Sequence, residues 1–337
     1  MMKSEAGFSL AEFLVSMVLT MVVLGISLAT FNDSVSLNQL AGLVADTDQN
    51  LRSGLSMLTR DLIQAGEGIP TGGIPVPSGG ASTPINRPGP VGVAYTFPAG
   101  TVVPAVTPGA ALGPTIALQP TDLLTVLYAD PTLALNTAPL VAINAPGSRA
   151  TVDPAIAITD PDTAVQAGDL IMFSNAVGNA LQEVTGTDGA QTMFFDQGDP
   201  LNLNQPAAAQ GTLVRLQSSP GVYPPTTATR VVMVSYYIDA SNPAGPRLVR
   251  QIGAGPRLAV ALGVENLQFS FDLVDGATNP TNVKTPVAPN SPHEIRKVNV
   301  FLSARSEAAS RRTGRWFRNS LATQVSLRSL SFVDRYR

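Results

Sequence analysis

Apolar and polar positions along this 337-residue chain fall into three regimes. From Phe8 to Phe31 every side chain is apolar, small or hydroxylated except Glu12. A helix over this stretch spans about 36 Å at ~1.5 Å per residue, which exceeds the roughly 30 Å hydrocarbon core of a bilayer. From Asn32 to Ala65 there is no proline, and the pattern changes to one apolar stripe. Leu37, Val44, Leu51 and Leu58 recur every seventh residue, with Ala41, Leu55 and Leu62 four residues further on. Asp48 interrupts the second row, so the stripe is no clean coiled-coil seam. It predicts an amphipathic helix with Asp46, Asp48, Asn50, Arg52, Arg60 and Asp61 on its wet side. Gly66, Gly68 and Pro70 stop it. The two regimes make one rod, Phe8–Ala65, roughly 87 Å long, with Gly25, Gly42 and Gly54 as points where it is expected to bend or fray.

The third regime is β-like. Strands are expected at Leu123–Tyr128, Asp169–Ser174, Leu181–Thr185, Thr192–Phe195 and Thr212–Gln217. Further strands are expected at Arg230–Asp239, Arg247–Ile252, Val264–Leu273, Glu294–Arg305 and Thr323–Val333. Gly, Asp, Asn and Pro turns separate them. Within Ile295–Arg305, the residues Val298, Val300, Leu302 and Ala304 form one apolar face, as in a half-buried antiparallel strand. No helix-length periodic segment lies between the strands, which argues against a parallel sheet with helical crossovers. Residues 66–120 hold eleven Gly and eleven Pro, with only Glu67 and Arg87 charged. Apart from a short strand in Val91–Phe97, they read as loop or a poorly ordered insertion.

Composition narrows the function. The chain has no cysteine, so disulfides and thiolate metal sites are excluded. Its one histidine, His293, lies between Pro292 and Glu294 and reads as a surface residue; sites needing two imidazoles are excluded. No phosphate-binding glycine loop, nucleophile elbow or paired-histidine motif occurs. Asp153, Asp160, Asp162 and Asp169 lack the ligand alternation of a calcium loop and read as turn residues. No enzyme, cofactor or metal is expected.

Charge is uneven. Residues 293–337 carry ten Lys/Arg against three Asp/Glu, +7, and the preceding 292 carry 11 against 21, −10. Arg311, Arg312, Arg315 and Arg318 surround Trp316 and Phe317, a candidate surface for an anionic ligand such as a nucleic-acid strand. The competing reading is a hairpin loop whose cations pair with acidic neighbours while Trp316 and Phe317 anchor it to the core.

At the N-terminus the order Gly7-Phe8-Ser9-Leu10-Ala11-Glu12 precedes the apolar run, the reverse of a secretory signal, where the small residues follow it. This arrangement resembles the prepilin leader of type IV pilins and type II secretion pseudopilins. The resemblance implies cleavage after Gly7 by a prepilin peptidase and N-methylation of the new first residue, Phe8. It also implies that Glu12 meets the N-terminal amine of a neighbouring subunit during filament assembly. A carboxylate within an apolar span is costly enough to have a partner or a function. Lys3 and the amino terminus are the only positive charges before the span, so the N-terminus is expected in the cytoplasm and the bulk in the periplasm.

Later pieces resemble PilW-type minor pilins more specifically. They are Arg60-Asp61-Leu62-Ile63-Gln64-Ala65-Gly66, Gly168-Asp169-Leu170-Ile171 and Val234-Ser235-Tyr236-Tyr237-Ile238-Asp239 with Leu248-Val249-Arg250. Val264-Glu265-Asn266-Leu267-Gln268-Phe269 and Val325-Ser326-Leu327-Arg328-Ser329-Leu330 follow in the same order. GspJ-type pseudopilins share the general plan. The expected fold is α+β and pilin-like, a long N-terminal helix packed on a C-terminal antiparallel sheet. Its parts are a leader (1–7), a transmembrane and filament-core helix (8–31), an amphipathic continuation (32–65), a Gly/Pro-rich segment (66–120) and a β-rich periplasmic domain (121–337). The implied function is a minor pilin of a tip or priming complex that initiates pilus assembly. Its implied partners are the prepilin peptidase, other minor and major pilins, and the inner-membrane assembly platform. The alternatives are a minor pseudopilin of a type II secretion system, or a signal-anchored adhesin or binding domain that never polymerises.

Overall fold

The structure, a computed structural model, describes residues 9–130, 132, 135, 140–153, 158, 164–310 and 313–331. Its first element is an unbroken helix, α1, Leu10–Gln64. The helix starts where it does because Ser9 and Glu12 form a reciprocal capping box. Ser9 Oγ accepts the Glu12 N–H at 3.2 Å, and Glu12 Oε2 accepts the Ser9 N–H at 2.9 Å. At the other end, Gly66 takes a φ of +83°, and its N–H donates to the Leu127 carbonyl at 2.8 Å, turning the chain onto the sheet.

Every residue from Leu10 to Phe31 is exposed, so this half of the helix has no partner within the chain. Partial burial begins at Ser36, and burial is complete only at Thr47, Leu51, Gly54, Leu58, Asp61, Leu62 and Ala65. The stripe is therefore covered later than its spacing predicts, with Leu37 and Ala41 left exposed.

The expected bends are absent. Helix α1 runs through Gly25, Gly42 and Gly54 without a break. Gly54 is instead a close-approach point, where a Cβ would lie 2.9 Å from the Ala261 Cβ and 3.1 Å from Leu248 Cδ2.

Two antiparallel sheets cover the second half of α1. A seven-stranded sheet is built from β1 (Val106–Thr107), β2 (Leu124–Ala129), β3 (Leu170–Ser174), β4 (Asn179–Glu183), β5 (Thr227–Asp239), β6 (Arg247–Ile252) and β7 (Arg257–Leu262). The long β5 organises it. Thr227–Val231 pair with β3, Val231–Tyr236 with β2 and Val234–Asp239 with β6. The second sheet has three strands, β8 (Val264–Leu273), β9 (Ile295–Ala309) and β10 (Trp316–Ser326). Val298, Val300, Leu302 and Ala304 of β9 are all buried, as their alternation predicts. They pack with Leu51, Leu58 and Leu62 of α1 and with Val234, Tyr236 and Ile238 of β5 in one core.

Several elements differ from the pattern-based expectation. Thr212–Gln217 holds a 3₁₀ turn, Leu213–Leu216, rather than a strand; Leu213 and Leu216, three apart, face the core as that geometry places them. Strand β7 was not legible, because Arg257, Leu258 and Ala259 are exposed and do not alternate clearly. The last strand lies at Trp316–Ser326 rather than Thr323–Val333, and a short helix α2, Arg328–Ser331, follows it. Its polar outer residues, including Arg318, Ser320 and Gln324, mimic a loop in sequence.

The largest correction concerns residues 66–120, which are packed and ordered. Ile69, Ile74, Val76, Ile85, Phe97 and Val103 cover the other face of the seven-stranded sheet against Leu127, Met172, Val231 and Met233. The segment's strands are two or three residues long, too short to show a period, and the one expected at Val91–Phe97 is only Tyr95–Thr96. Arg87 pins the segment down. Its buried guanidinium donates to Thr125 Oγ1 at 3.0 Å and to the carbonyls of Pro108 and Thr107 at 2.8 and 2.6 Å. Burial lowers its pKa to about 9.

Candidate functional site

Three groups of residues carry chemistry, and each lies at a different level of the molecule. The first is the exposed end of α1. From Leu10 to Phe31 it rises about 33 Å, enough to cross a hydrocarbon core. This is the one helix among the described residues long and apolar enough to span a membrane. Glu12 is its only charged residue and lies in the first turn, with the positive end of the helix dipole beside it. Its carboxylate is folded back onto the Ser9 N–H rather than extended sideways. Gly7 and Phe8, the expected cleavage and methylation positions, lie outside the described residues.

The second group sits at the hairpin between β9 and β10. Arg311 and Arg312 lie outside the described residues; Arg315, Trp316 and Arg318 are placed. Arg318 is held by Glu265 of β8, Nε to Oε2 at 2.7 Å, and the same carboxylate pairs with Arg305 at 3.1 Å. The Arg305 guanidinium lies over the Trp316 ring at 4.5 Å. Arg318, exposed, and Trp316, half-buried, thus belong to a surface cluster with Glu265 and Arg305. Arg315 is exposed and has no ion pair among the described residues.

The third group was missed by the sequence reading, which put Asp61 on the wet side of α1. The structure buries it at 3% exposure, facing the sheet. Its Oδ2 accepts from Tyr236 Oη at 2.6 Å and Arg250 Nε at 2.7 Å, and its Oδ1 from Tyr128 Oη at 3.2 Å and Arg250 Nη2 at 3.1 Å. One carboxylate therefore ties α1 to β2, β5 and β6. Burial, then the Asp61 charge, raises the Tyr128 pKa to about 12, and the same causes raise Tyr236. Burial lowers the Arg250 pKa, but the Asp61 hydrogen bonds and charge outweigh it and the net shift is upward. A signal was present. Leu58, Asp61, Leu62 and Ala65 follow the i, i+3, i+4, i+7 spacing of a buried face.

A cavity of about 540 Å³ beside the start of β3 and the end of β4 is lined by Glu183, Asp196, Asp199 and Ala254 among others. Glu183 Oε2 accepts the Leu201 N–H at 2.9 Å, and Asp199 accepts the N–H groups of Leu203 and Asn204. Burial, with the Asp199 carboxylate adding to it, pushes the Glu183 pKa up to about 8. Among the described residues no three His, Asp or Glu converge as metal ligands. His293 is half-buried in a 3₁₀ turn, Pro292–Glu294, rather than a surface residue, and burial lowers its pKa.

No known family, no curated protein and no solved structure matches this chain.

Proposed function

We propose that this chain is a membrane-anchored minor pilin of a type IV pilus, acting in a tip or priming complex that starts filament assembly. The observation that carries the reading is α1 itself. One unbroken helix has an apolar, wholly exposed first half and a second half buried under antiparallel sheets. An exposed apolar helix face that long must be covered by lipid or by like helices. A filament subunit uses both in turn, lipid before assembly and neighbouring subunits after it. Glu12, at the tip of that helix, then exchanges its hold on the Ser9 N–H for the N-terminal amine of the next subunit. The β domain supplies the surfaces that meet partner pilins and the assembly platform. The N-terminus faces the cytoplasm, and the domain reaches the periplasm and then the pilus.

The test is the mass of the N-terminal peptide from protein recovered from its native membrane, with and without the prepilin peptidase. A chain starting at methylated Phe8 only when the peptidase is present is the expected result. An uncleaved Met1 or Met2 start in both strains overturns the reading.

A further inference from the structure

Residues 86–95 and the turn between β6 and β7 flank a second cavity, of about 290 Å³. Arg87 and Arg257 line it, and no Asp or Glu does. Pro88, Pro90, Val93, Leu201 and Ala254 give it an apolar wall. It meets the cavity beside Glu183 at Pro200 and Ala254, which line both.

Buried side chains hold Arg257 in place. It opens β7 in register with Gln251 of β6, so the two lie on one face of the sheet. Arg257 Nε donates to Tyr237 Oη at 3.0 Å, and Tyr237 Oη donates to Gln251 Oε1 at 2.7 Å. Gln251 Nε2 donates in turn to the Gly255 carbonyl at 3.0 Å. Tyr237 and Gln251 are both buried, whereas Arg257 is exposed. This relay uses the Arg257 Nε alone, and neither Nη group has a hydrogen bond or ion pair among the described residues. Tyr95, paired with Arg87 in a two-residue ladder, packs its ring on Gly89, where a Cβ would lie 2.6 Å from Tyr95 Cδ2. The Tyr95 hydroxyl also has no hydrogen bond among the described residues, and the residue lines the same cavity. Arg87 adds an uncompensated charge, because its buried guanidinium bonds only to the neutral oxygens of Thr107, Pro108 and Thr125. In a low-dielectric setting such a charge acts more strongly than it would in water.

This chemistry selects a ligand. The free end of a guanidinium fork matches the two oxygens of a carboxylate. Only one of the two cations is exposed, and Glu183, Asp196 and Asp199 line the adjoining cavity, so a second negative charge, as on a phosphate, is repelled. The proline, valine and leucine wall favours an apolar body behind the anionic group.

We propose that the cavity between residues 86–95 and the β6–β7 turn binds a carboxylate carried on a small apolar body, Arg257 taking the carboxylate and Tyr95 donating a further hydrogen bond. That chemistry is shared by a free aliphatic acid and by the C-terminus of a peptide ending in an apolar residue. The site does not depend on α1 entering a filament.

The test is calorimetry on the full chain in phosphatidylcholine nanodiscs, with protein-free discs as the blank. The probes are isovalerate, N-acetyl-glycyl-leucine with a free C-terminus, and its C-terminal amide. Saturable binding of an acid is expected, with the amide weaker by about ten-fold or more, as the loss of a charged hydrogen-bonding partner implies. Arg257→Gln should lose acid binding by about the same factor, and Arg257→Lys, which keeps the charge without the fork, should fall between. Tyr95→Phe should weaken it roughly two- to ten-fold, the loss of one neutral hydrogen bond. The comparison of acid with amide uses the unaltered chain and stands even if a variant unfolds. Tighter binding of the peptide acid assigns the site to a chain terminus and tighter binding of isovalerate to a free acid; either supports it. Equal affinity for acid and amide overturns the proposal, as does wild-type acid binding by Arg257→Gln. It is also overturned if neither acid binds saturably, or if inorganic phosphate binds more tightly than both.

Discussion

At the scale of single residues, the decisive group is Asp61. Its two oxygens take four donors from three strands, so removing it strands the Arg250 charge and two tyrosine hydroxyls in a buried setting. Breaking such a buried pair from one side costs about 3–5 kcal/mol, whereas replacing both partners with apolar groups costs far less. Asp61→Ala should lose that amount in a urea titration of the detergent-solubilised chain. Asp61→Leu combined with Arg250→Met should recover most of it, and simple additivity of the two would show that the groups are uncoupled. Glu183 gives a pH dependence. Its folded pKa, about 8, lies above the ordinary 4.5, so the folded state keeps a proton that the unfolded state has released. Stability is then full below about pH 4.5 and falls as pH rises through that window toward 8. Glu183→Gln should flatten this decline, measured as melting temperature against pH.

At the scale of elements, the same amino acid has opposite meanings along α1. Gly54 lies where α1 crosses the sheet, with Ala261 and Leu248 in the space a side chain would need. Gly54→Val should destabilise by about 1–3 kcal/mol through overpacking. Gly42 has open space around it, so Gly42→Ala should stabilise by up to about 1 kcal/mol through helix propensity. Urea midpoints of the two variants moving in the same direction would contradict this account. Strand legibility follows the same logic. Strands β6 and β8 match their predicted bounds; β8 alternates around one buried face, whereas β6 buries Leu248 and Val249 in succession. The two-residue strands of 66–120 have no period to read, and their packing comes from the sheet they cover.

At the scale of the whole molecule, the chain presents two kinds of surface. Residues Leu10–Phe31 are exposed and apolar, and the rest encloses its own cores. Placing a lysine at mid-span costs about 2.5–3.5 kcal/mol per residue on insertion scales. The pair Leu19→Lys and Val22→Lys should therefore shift the chain from the carbonate-resistant membrane fraction to the soluble fraction. The protease-resistant fragment of the β domain should stay the same, because neither residue touches it.

The sequence by itself determined the long helix, its exposed apolar half and the antiparallel β character of the C-terminal part. Each of these rests on a local period or on a run of one polarity. It also marked Glu12, because a single charge in an apolar run stands out without any fold. Tertiary structure alone decided the inward turn of Asp61, the packing of 66–120 and the pairing of Arg318 with Glu265. Those depend on groups brought together from 20 to 189 residues apart, and hydrogen bonds over such separations leave no periodic trace in the chain.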